Sequence, residues 1–315
     1  MDVITIGDAL ISMNPLTEGP LRFVNTFERK IGGAELNVAI GCSRLGLHTG
    51  WITKVGKDEF GRFIINYARS ESIDTSHASF VEGFPTSIYF KEIFDEIRIN
   101  SYYYRDKSPT NEFKVKDIDE NYIKQTKILH ISGVFPSINQ INKHIILHLL
   151  KIAKKHNVLV VLDPNIRLKL WNVKEAKDTL LTFLPHVDVI VMGEEESEIM
   201  FDSARLDNII KSVQKYNISH FVLKQGDKGA IGYKDGEIVK SPAFSPSKIV
   251  DIIGAGDGFM AGYIYSLIDN KSLEESLYFS NAVASYVISV PGDNEGLPYK
   301  EDIDILLGIK GHITR

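Results

Sequence analysis

The sequence predicts an α/β protein: a central, mostly parallel sheet flanked by helices on both faces, with a small β-sheet lid. Three features of the chain predict it. Short β-branched runs recur at residues 3–6, 50–55, 128–131, 158–162, 188–192 and 220–224. Most are continuously apolar rather than alternating, the pattern of strands covered on both faces. Amphipathic segments separate them, and strand–helix–strand repetition is how parallel sheets are built.

The clearest amphipathic segment runs over 138–156, where Ile141, Ile145, Leu149 and Ile152 share one helical face and lysines lie elsewhere. Two stretches break the rhythm. Residues 11–31 and 86–105 read as strands with no helix between them. Phe84-Pro85 opens the second, and Asp95-Glu96 lies between runs 87–94 and 97–104 as a hairpin turn would. Such strands do not fit a buried parallel sheet. They are expected to form the lid, projecting from a single domain over residues 1–315.

Composition narrows the function. At 315 residues, 43% hydrophobic and 24% charged, the chain can bury a large core without cross-links. A net charge of -5 argues against nucleic acid as a partner. The single cysteine, Cys42, cannot form an intrachain disulfide, which fits a reducing compartment. The first residues lack the pattern of a secretory leader, and no apolar run approaches the ~18 residues of a membrane span. A cytoplasmic protein with no membrane partner is expected.

The most informative segment is Val250-Asp251-Ile252-Ile253-Gly254-Ala255-Gly256-Asp257-Gly258-Phe259. Gly254, Ala255 and Gly256 leave the backbone bare just before an apolar helix over 259–268. A phosphate could approach the free N–H groups there and be stabilised by the helix dipole. Asp257 would sit beside that anion, where a carboxylate makes sense as a base that takes a proton from an attacking hydroxyl. Gly-rich turns also let helices pack closely, and Asp is an ordinary first-turn residue, so the residues alone leave both readings open. Gly256, Gly258 and Ala261 fit G-x-G-x-x-A, but far from a first strand and without the βαβ context of dinucleotide binding.

This segment resembles the C-terminal signature of the ribokinase-like (PfkB) carbohydrate kinases. Ile31-Gly32-Gly33-Ala34-Glu35-Leu36-Asn37-Val38-Ala39 resembles their N-terminal signature, and similarity continues through residues 55–61 and 223–229. Gly19-Pro20-Leu21-Arg22-Phe23-Val24-Asn25, Tyr103-Tyr104-Arg105, residues 165–171 and Gly292-Asp293-Asn294-Glu295 are similar to 2-keto-3-deoxygluconate kinases, especially archaeal ones. The resemblance implies a ribokinase-like fold and ATP- and Mg²⁺-dependent phosphorylation of a terminal hydroxyl. Asp257 would be the base and the Gly254, Ala255 and Gly256 amides the anion hole.

The resemblance also implies a sugar site at Gly33, Tyr89, Tyr103, Tyr104, Arg105, Arg167 and Asp293. It implies an ATP site at Asn165, Arg167, Lys224, Gly226, Gly229, Gly254, Gly256 and Asn281. The family's Asn-x-x-Glu motif, which orders Mg²⁺ through water, maps to Gly193 and Glu196, so Glu196 alone carries over. Lid sheets in this family often pair between subunits, so a homo-oligomer is expected. Asp251 matches an acid that helps form a monovalent-cation site in some relatives. After Arg105 the chain reads Asp106-Lys107-Ser108-Pro109, where the sugar-acid kinases usually continue Lys-Gly-Ser-Ala.

Local chemistry bears on the same residues. Alternate strand residues share a face, which puts Ser87, Tyr89 and Lys91 together, and Tyr103 with Arg105 on the next run. Phenols and a guanidinium suit a polyhydroxy carboxylate, although Tyr-rich strands are also simply good strands. Arg167 follows the run 158–162, at a carboxyl edge of the sheet where α/β proteins bind ligands. His144 and His148 share a helix face without a third ligand, and an inert pair is expected. The rivals are a fructokinase or other sugar or nucleoside kinase, a NAD-dependent dehydrogenase, and a non-catalytic nucleotide- or sugar-sensing module.

Overall fold

A computed structural model describes residues 1–94, 98–245 and 248–311. The expected Asp95-Glu96 turn lies outside the described residues. Thirteen strands run in chain order as β1 (Val3–Ile6), β2 (Leu10–Pro15), β3 (Phe27–Gly32), β4 (Thr49–Gly56), β5 (Ala78–Val81), β6 (Ile88–Ile93) and β7 (Ile99–Tyr104). They continue as β8 (Ile128–Ser132), β9 (Leu159–Asp163), β10 (Val189–Gly193), β11 (His220–Lys224), β12 (Ala230–Lys234) and β13 (Glu237–Ser241).

Nine of them form one sheet in the order β13-β12-β11-β10-β9-β8-β1-β4-β5. From β11 to β5 every neighbour pair is parallel, and β12 and β13 add an antiparallel edge. The six runs read from sequence all lie in this sheet, each within about a residue of its observed bounds, the tolerance with which ends are defined at all. Not anticipated were β5, whose Ala-Ser-Phe-Val is only partly buried, and the β12–β13 hairpin. That hairpin turns at Asp235-Gly236, whose φ values of 48° and 99° match a two-residue turn of the I′ kind.

Continuous apolar runs make sense because each strand feeds two cores. Ile190 and Met192 of β10 pack on one side with Leu149, Leu180, Ile209 and Val213. Val189 and Val191 pack on the other with Phe259, Tyr263, Leu277 and Val283. The helix Gln140–Lys155 lies in the first layer, capped by Asn139, which accepts from the Asn142 amide, and ending on Lys154 and Lys155. Both features suit the helix dipole and its unsatisfied amides. The helix Ala255–Ile268 lies in the second layer and is apolar nearly all round, because the helices Ala34–Arg44 and Leu273–Val287 flank it. No helix among the described residues is long and apolar enough to cross a membrane.

The second sheet has four strands in the order β3-β2-β6-β7. It occupies much of the stretches 11–31 and 86–105 expected for a lid. Tyr89 pairs with Tyr103 in register, so the two share a face, and their rings stack with centroids 5.4 Å apart. That face looks toward the carboxyl ends of the parallel strands.

Candidate active site

Loops at the carboxyl ends of β1, β9, β10 and β11 meet the second sheet and the start of helix Ala255–Ile268 around one cleft of about 820 Å³. Its walls include Asp8, Asn37, Tyr89, Tyr103, Arg105, Asp163, Asn165, Arg167, Glu196, Lys224, Gly254, Gly256, Asp257 and Asp293. Ligands of α/β proteins bind at this edge because the loops there are free of sheet hydrogen bonding and can converge.

The turn before helix Ala255–Ile268 is tightly determined. The Asp251 carboxylate accepts from the Ile253 amide at 3.0 Å and from the Gly292 amide at 3.2 Å. Gly254 has φ 83°, and a Cβ there would collide with the carbonyl oxygen of Asp293. No side chain caps this helix. Its first amides are therefore donors without an intrahelical acceptor, at the positive end of the dipole.

Asp257 lies in that first turn, 7% exposed. Its Oδ2 accepts from Asn37 Nδ2 at 2.8 Å. Asn37 is oriented in turn by Asn294, whose amide donates to the Ile31 carbonyl at 2.9 Å and to Asn37 Oδ1 at 3.4 Å. Burial pushes the Asp257 carboxyl up to about 6, with Asn37 and the positive charges of Arg167 and Lys224 only partly offsetting it. Such a group is mostly ionised near neutral pH yet still basic enough to accept a proton. Glu35 lies close by, and burial pushes it up to about 8, so it stands as a neutral acid. Its Oε1 accepts from the Phe135 amide.

Next to the helix start stands the Lys224 ammonium, 3.8 Å from where a Cβ on Gly256 would lie. Lys224 Nζ stands 3.4 Å from Asp163. Burial works against its charge, and Asp163 and Glu196 more than restore it, so its pKa is raised. Asn165 adopts φ 37° on the turn leaving β9, with its amide donating to Asp163. Glu196 is pinned by two backbone donors, Ile166 N at 3.0 Å and Gly193 N at 2.6 Å, and burial raises its pKa. Among the described residues no group of three or more His, Cys, Asp or Glu side chains is assembled to hold a metal. Asp163 and Glu196 nevertheless suit Mg²⁺, which keeps several waters and leans on phosphate oxygens rather than a protein cage.

The side nearest the second sheet is polar and largely pre-paired. Arg105 Nη2 donates to Asp8 Oδ2 at 2.9 Å, and Ser108 and Ser87 donate to the same oxygen. Asp8 Oδ1 and Arg105 Nε are buried without a protein partner. Unsatisfied buried polar atoms on a cleft wall mark where a ligand's own polar groups can bind. Tyr89 donates to Asp293 Oδ2 at 2.7 Å. Gly33 has φ 142°, and a Cβ there would lie 2.7 Å from the Asp8 carbonyl oxygen, so the paired glycines let this loop close over the cleft.

The family model for the pfkB family carbohydrate kinases matches residues 1–300. The chain belongs to this family. It is an ATP-dependent carbohydrate kinase with a ribokinase-like fold. A 5-dehydro-2-deoxygluconokinase of Geobacillus kaustophilus is 33% identical, over 96% of this chain and 92% of the relative. Among solved structures, a 2-dehydro-3-deoxygluconokinase of Thermotoga maritima superposes with TM-score 0.88 at 25% identity, covering 98% of both chains. A PfkB protein from Polaromonas superposes with TM-score 0.87 at 28% identity, covering 96% of this chain and 99% of the other.

Of the residues expected at the site, Gly33, Tyr89, Tyr103, Arg105, Asn165, Arg167, Glu196, Lys224, Gly254, Gly256, Asp257 and Asp293 line the cleft of this kinase. Tyr104 does not. It is 68% exposed, on the opposite face of β7 from Tyr103, and its ring packs edge-on against Phe90. Strand alternation requires this, since neighbours in sequence point to opposite faces. Ala255, Gly226, Gly229 and Asn281 are not among the lining residues either. Asn281 donates to the Ser241 and Pro242 carbonyls, against which Gly229 packs, so these two meet at the β12–β13 edge of the sheet rather than in the cleft wall.

Sequence reasoning assigned no role to Asp8, Asn37 or Asp163. Asp8 and Asp163 each stand at or just past the carboxyl end of a parallel strand, a placement that could have flagged them. Replacing Gly254 by Ala forces a Cβ into the Asp293 carbonyl and strains φ. The expected result is a folded enzyme whose turnover drops at least about 100-fold, the usual consequence of misplacing a reacting group by an ångström. Circular dichroism with a coupled ADP assay checks this, and wild-type turnover would show that the turn is not held as described.

Proposed function

We propose that this kinase transfers the γ-phosphoryl group of ATP to the terminal hydroxyl of 2-keto-3-deoxygluconate, giving 2-keto-3-deoxy-6-phosphogluconate. The observation that carries the reading is a single cleft. On one side lie a basic carboxylate and bare helix amides, and on the other a guanidinium and phenols suited to a sugar acid. The solved 2-dehydro-3-deoxygluconokinase, similar over nearly the whole chain, supports the substrate class.

In this reading Asp257 takes the proton of the attacking hydroxyl as the oxygen meets the phosphorus. The Gly254 and Gly256 amides, with that of Ala255, donate to the transferring group as its charge shifts, and Arg167 and Lys224 neutralise it from the other side. Mg²⁺, bound with ATP, would be held through water by Glu196 and Asp163 and would neutralise phosphate charge. Gly226, Gly229 and Asn281 would meet the far end of the nucleotide. Arg105 Nε would take the substrate carboxylate and Asp8 Oδ1 a hydroxyl, the two orphaned atoms on that wall. The small sheet serves as a lid that keeps water from the phosphoryl group.

A second acceptor, 5-dehydro-2-deoxygluconate, is favoured by the names of the similar curated kinases, eight of which are 29–33% identical to this chain. Both are six-carbon deoxy keto acids, so the same wall can meet either. We also propose that residues 1–315 act as one catalytic unit, in the cytoplasm where ATP is available.

The same reading makes the protein a homodimer through the outer face of the small sheet, where Tyr102 and Tyr104 are exposed beside Phe90. Sedimentation is expected to give a dimer that Tyr104→Arg weakens; a monomer at micromolar concentration contradicts this assembly. A substrate panel at saturating ATP tests the reaction. The 2-keto-3-deoxy acid is expected to exceed the 5-keto acid, fructose and ribose in kcat/KM by at least about tenfold. Arg105→Ala is expected to raise KM for the acid about 10- to 100-fold and for neutral sugars far less. Preference for the 5-keto acid selects the second acceptor. Equal losses for acids and neutral sugars would remove Arg105 from carboxylate binding.

A further inference from the structure

Lys91 is among the largest fully buried side chains of the protein, at 0% exposure, and it does not line the cleft. It sits on β6, two residues beyond Tyr89 and on the same face. Its Nζ lies 2.7 Å from Asp293 Oδ1 and 3.6 Å from Asp251 Oδ2. Burial of an ammonium is costly unless it is paired, and two carboxylates close together repel unless a cation lies between them. Here each defect cancels the other. Burial pulls the Lys91 pKa down, but Asp293 and Asp251 more than offset it, so the side chain stays charged.

Each of the two acids frames the turn that starts helix Ala255–Ile268. Asp251 holds the Ile253 and Gly292 amides. Asp293 presses its carbonyl against Gly254 while its other carboxylate oxygen accepts from Tyr89. A single ammonium from the small sheet therefore ties together the two loops that set where the bare helix amides point. It also couples them to the strand carrying Tyr89.

We propose that Lys91 is a positioning residue: its buried ammonium, shared between Asp251 and Asp293, holds the phosphate-facing turn at 251–256 in its working geometry and links that turn to the small sheet. No proton or bond changes hands at Lys91. It acts through the carboxylates, and its removal leaves two desolvated like charges that push the turn apart. This inference rests on the proposed role of the helix start in phosphoryl transfer. The two fail differently: if that role is wrong Gly254→Ala turns over like the wild type, and if this inference is wrong the Lys91 variants match the wild type while Gly254→Ala does not.

The test uses the full-length enzyme and whichever acceptor the wild type turns over. Lys91→Ala is expected to lower kcat about 100-fold, with KM for ATP changed less than about fivefold, because the loss is one of alignment rather than ground-state binding. Methylammonium chloride, small enough for the vacated space, is expected to restore kcat at least about tenfold in Lys91→Ala. Tetramethylammonium at equal ionic strength is expected to restore nothing, and neither salt should change the wild type. A purely structural role would lower the melting temperature without amine-specific recovery of kcat.

A kcat within about threefold of wild type overturns the proposal, as does a loss that methylammonium leaves untouched in folded protein. Should Lys91→Ala not fold, the double variant Lys91→Met, Asp251→Asn removes one acid with the cation. It is expected to fold and remain slow, and wild-type kcat in it overturns the proposal.

Discussion

Everything in this cleft is organised around one carboxylate held at the start of a helix. Asp257 is buried beside the uncapped amides at the positive end of a helix dipole, where negative charge is stabilised. Burial raises its proton affinity, and Asn37 accepts the consequence by donating to it from a distance of 220 residues along the chain. The remaining features keep that arrangement in place. The Asn294–Asn37 relay fixes the carboxylate's rotamer, Gly254 lets the turn pass against Asp293, and Lys224 with Arg167 supplies the opposing charge.

The parallel sheet explains why these groups can meet. Its strands are covered on both sides, so their side chains commit to two apolar layers and only the loops at one edge are left to carry chemistry. Asp8, Asp163, Glu196 and Lys224 come from four different strand ends and share one cleft for that reason. The small sheet closes the fourth side. Its inner face is polar, with Tyr89, Lys91 and Tyr103, and its outer face exposes aromatic rings, so one strand pair faces both the cleft side and the outside of the molecule.

Much of this was legible in the sequence, for local reasons. Mostly apolar runs mark strands such as β1, where all four positions are buried, and β11, where all but Lys224 are. The strand β5 escapes that reading because its Ser79 and Phe80 are exposed, which removes the apolar signal. The β12–β13 hairpin escaped although Asp235-Gly236 is a strong turn pair. Asp257 and the Gly254 turn were legible because small residues before an apolar helix are a local pattern. Asn37 and Asp8 were not, because their importance comes from partners brought near only by folding. Tyr104 shows the reverse case. Resemblance to sugar-acid kinases carried the whole Tyr103-Tyr104-Arg105 run into the site, while simple alternation puts Tyr104 on the other face.

The most direct test is the pH dependence of turnover, read together with Asp257→Asn. If Asp257 is the base, it must be ionised in the free enzyme, so kcat/KM rises as pH passes upward through about 6 and then levels off. Asp257→Asn is expected to keep ATP binding, lose about 100-fold or more in kcat, and lose that inflection. A profile flat from acid to neutral pH, or a variant with near-normal turnover, would contradict the account.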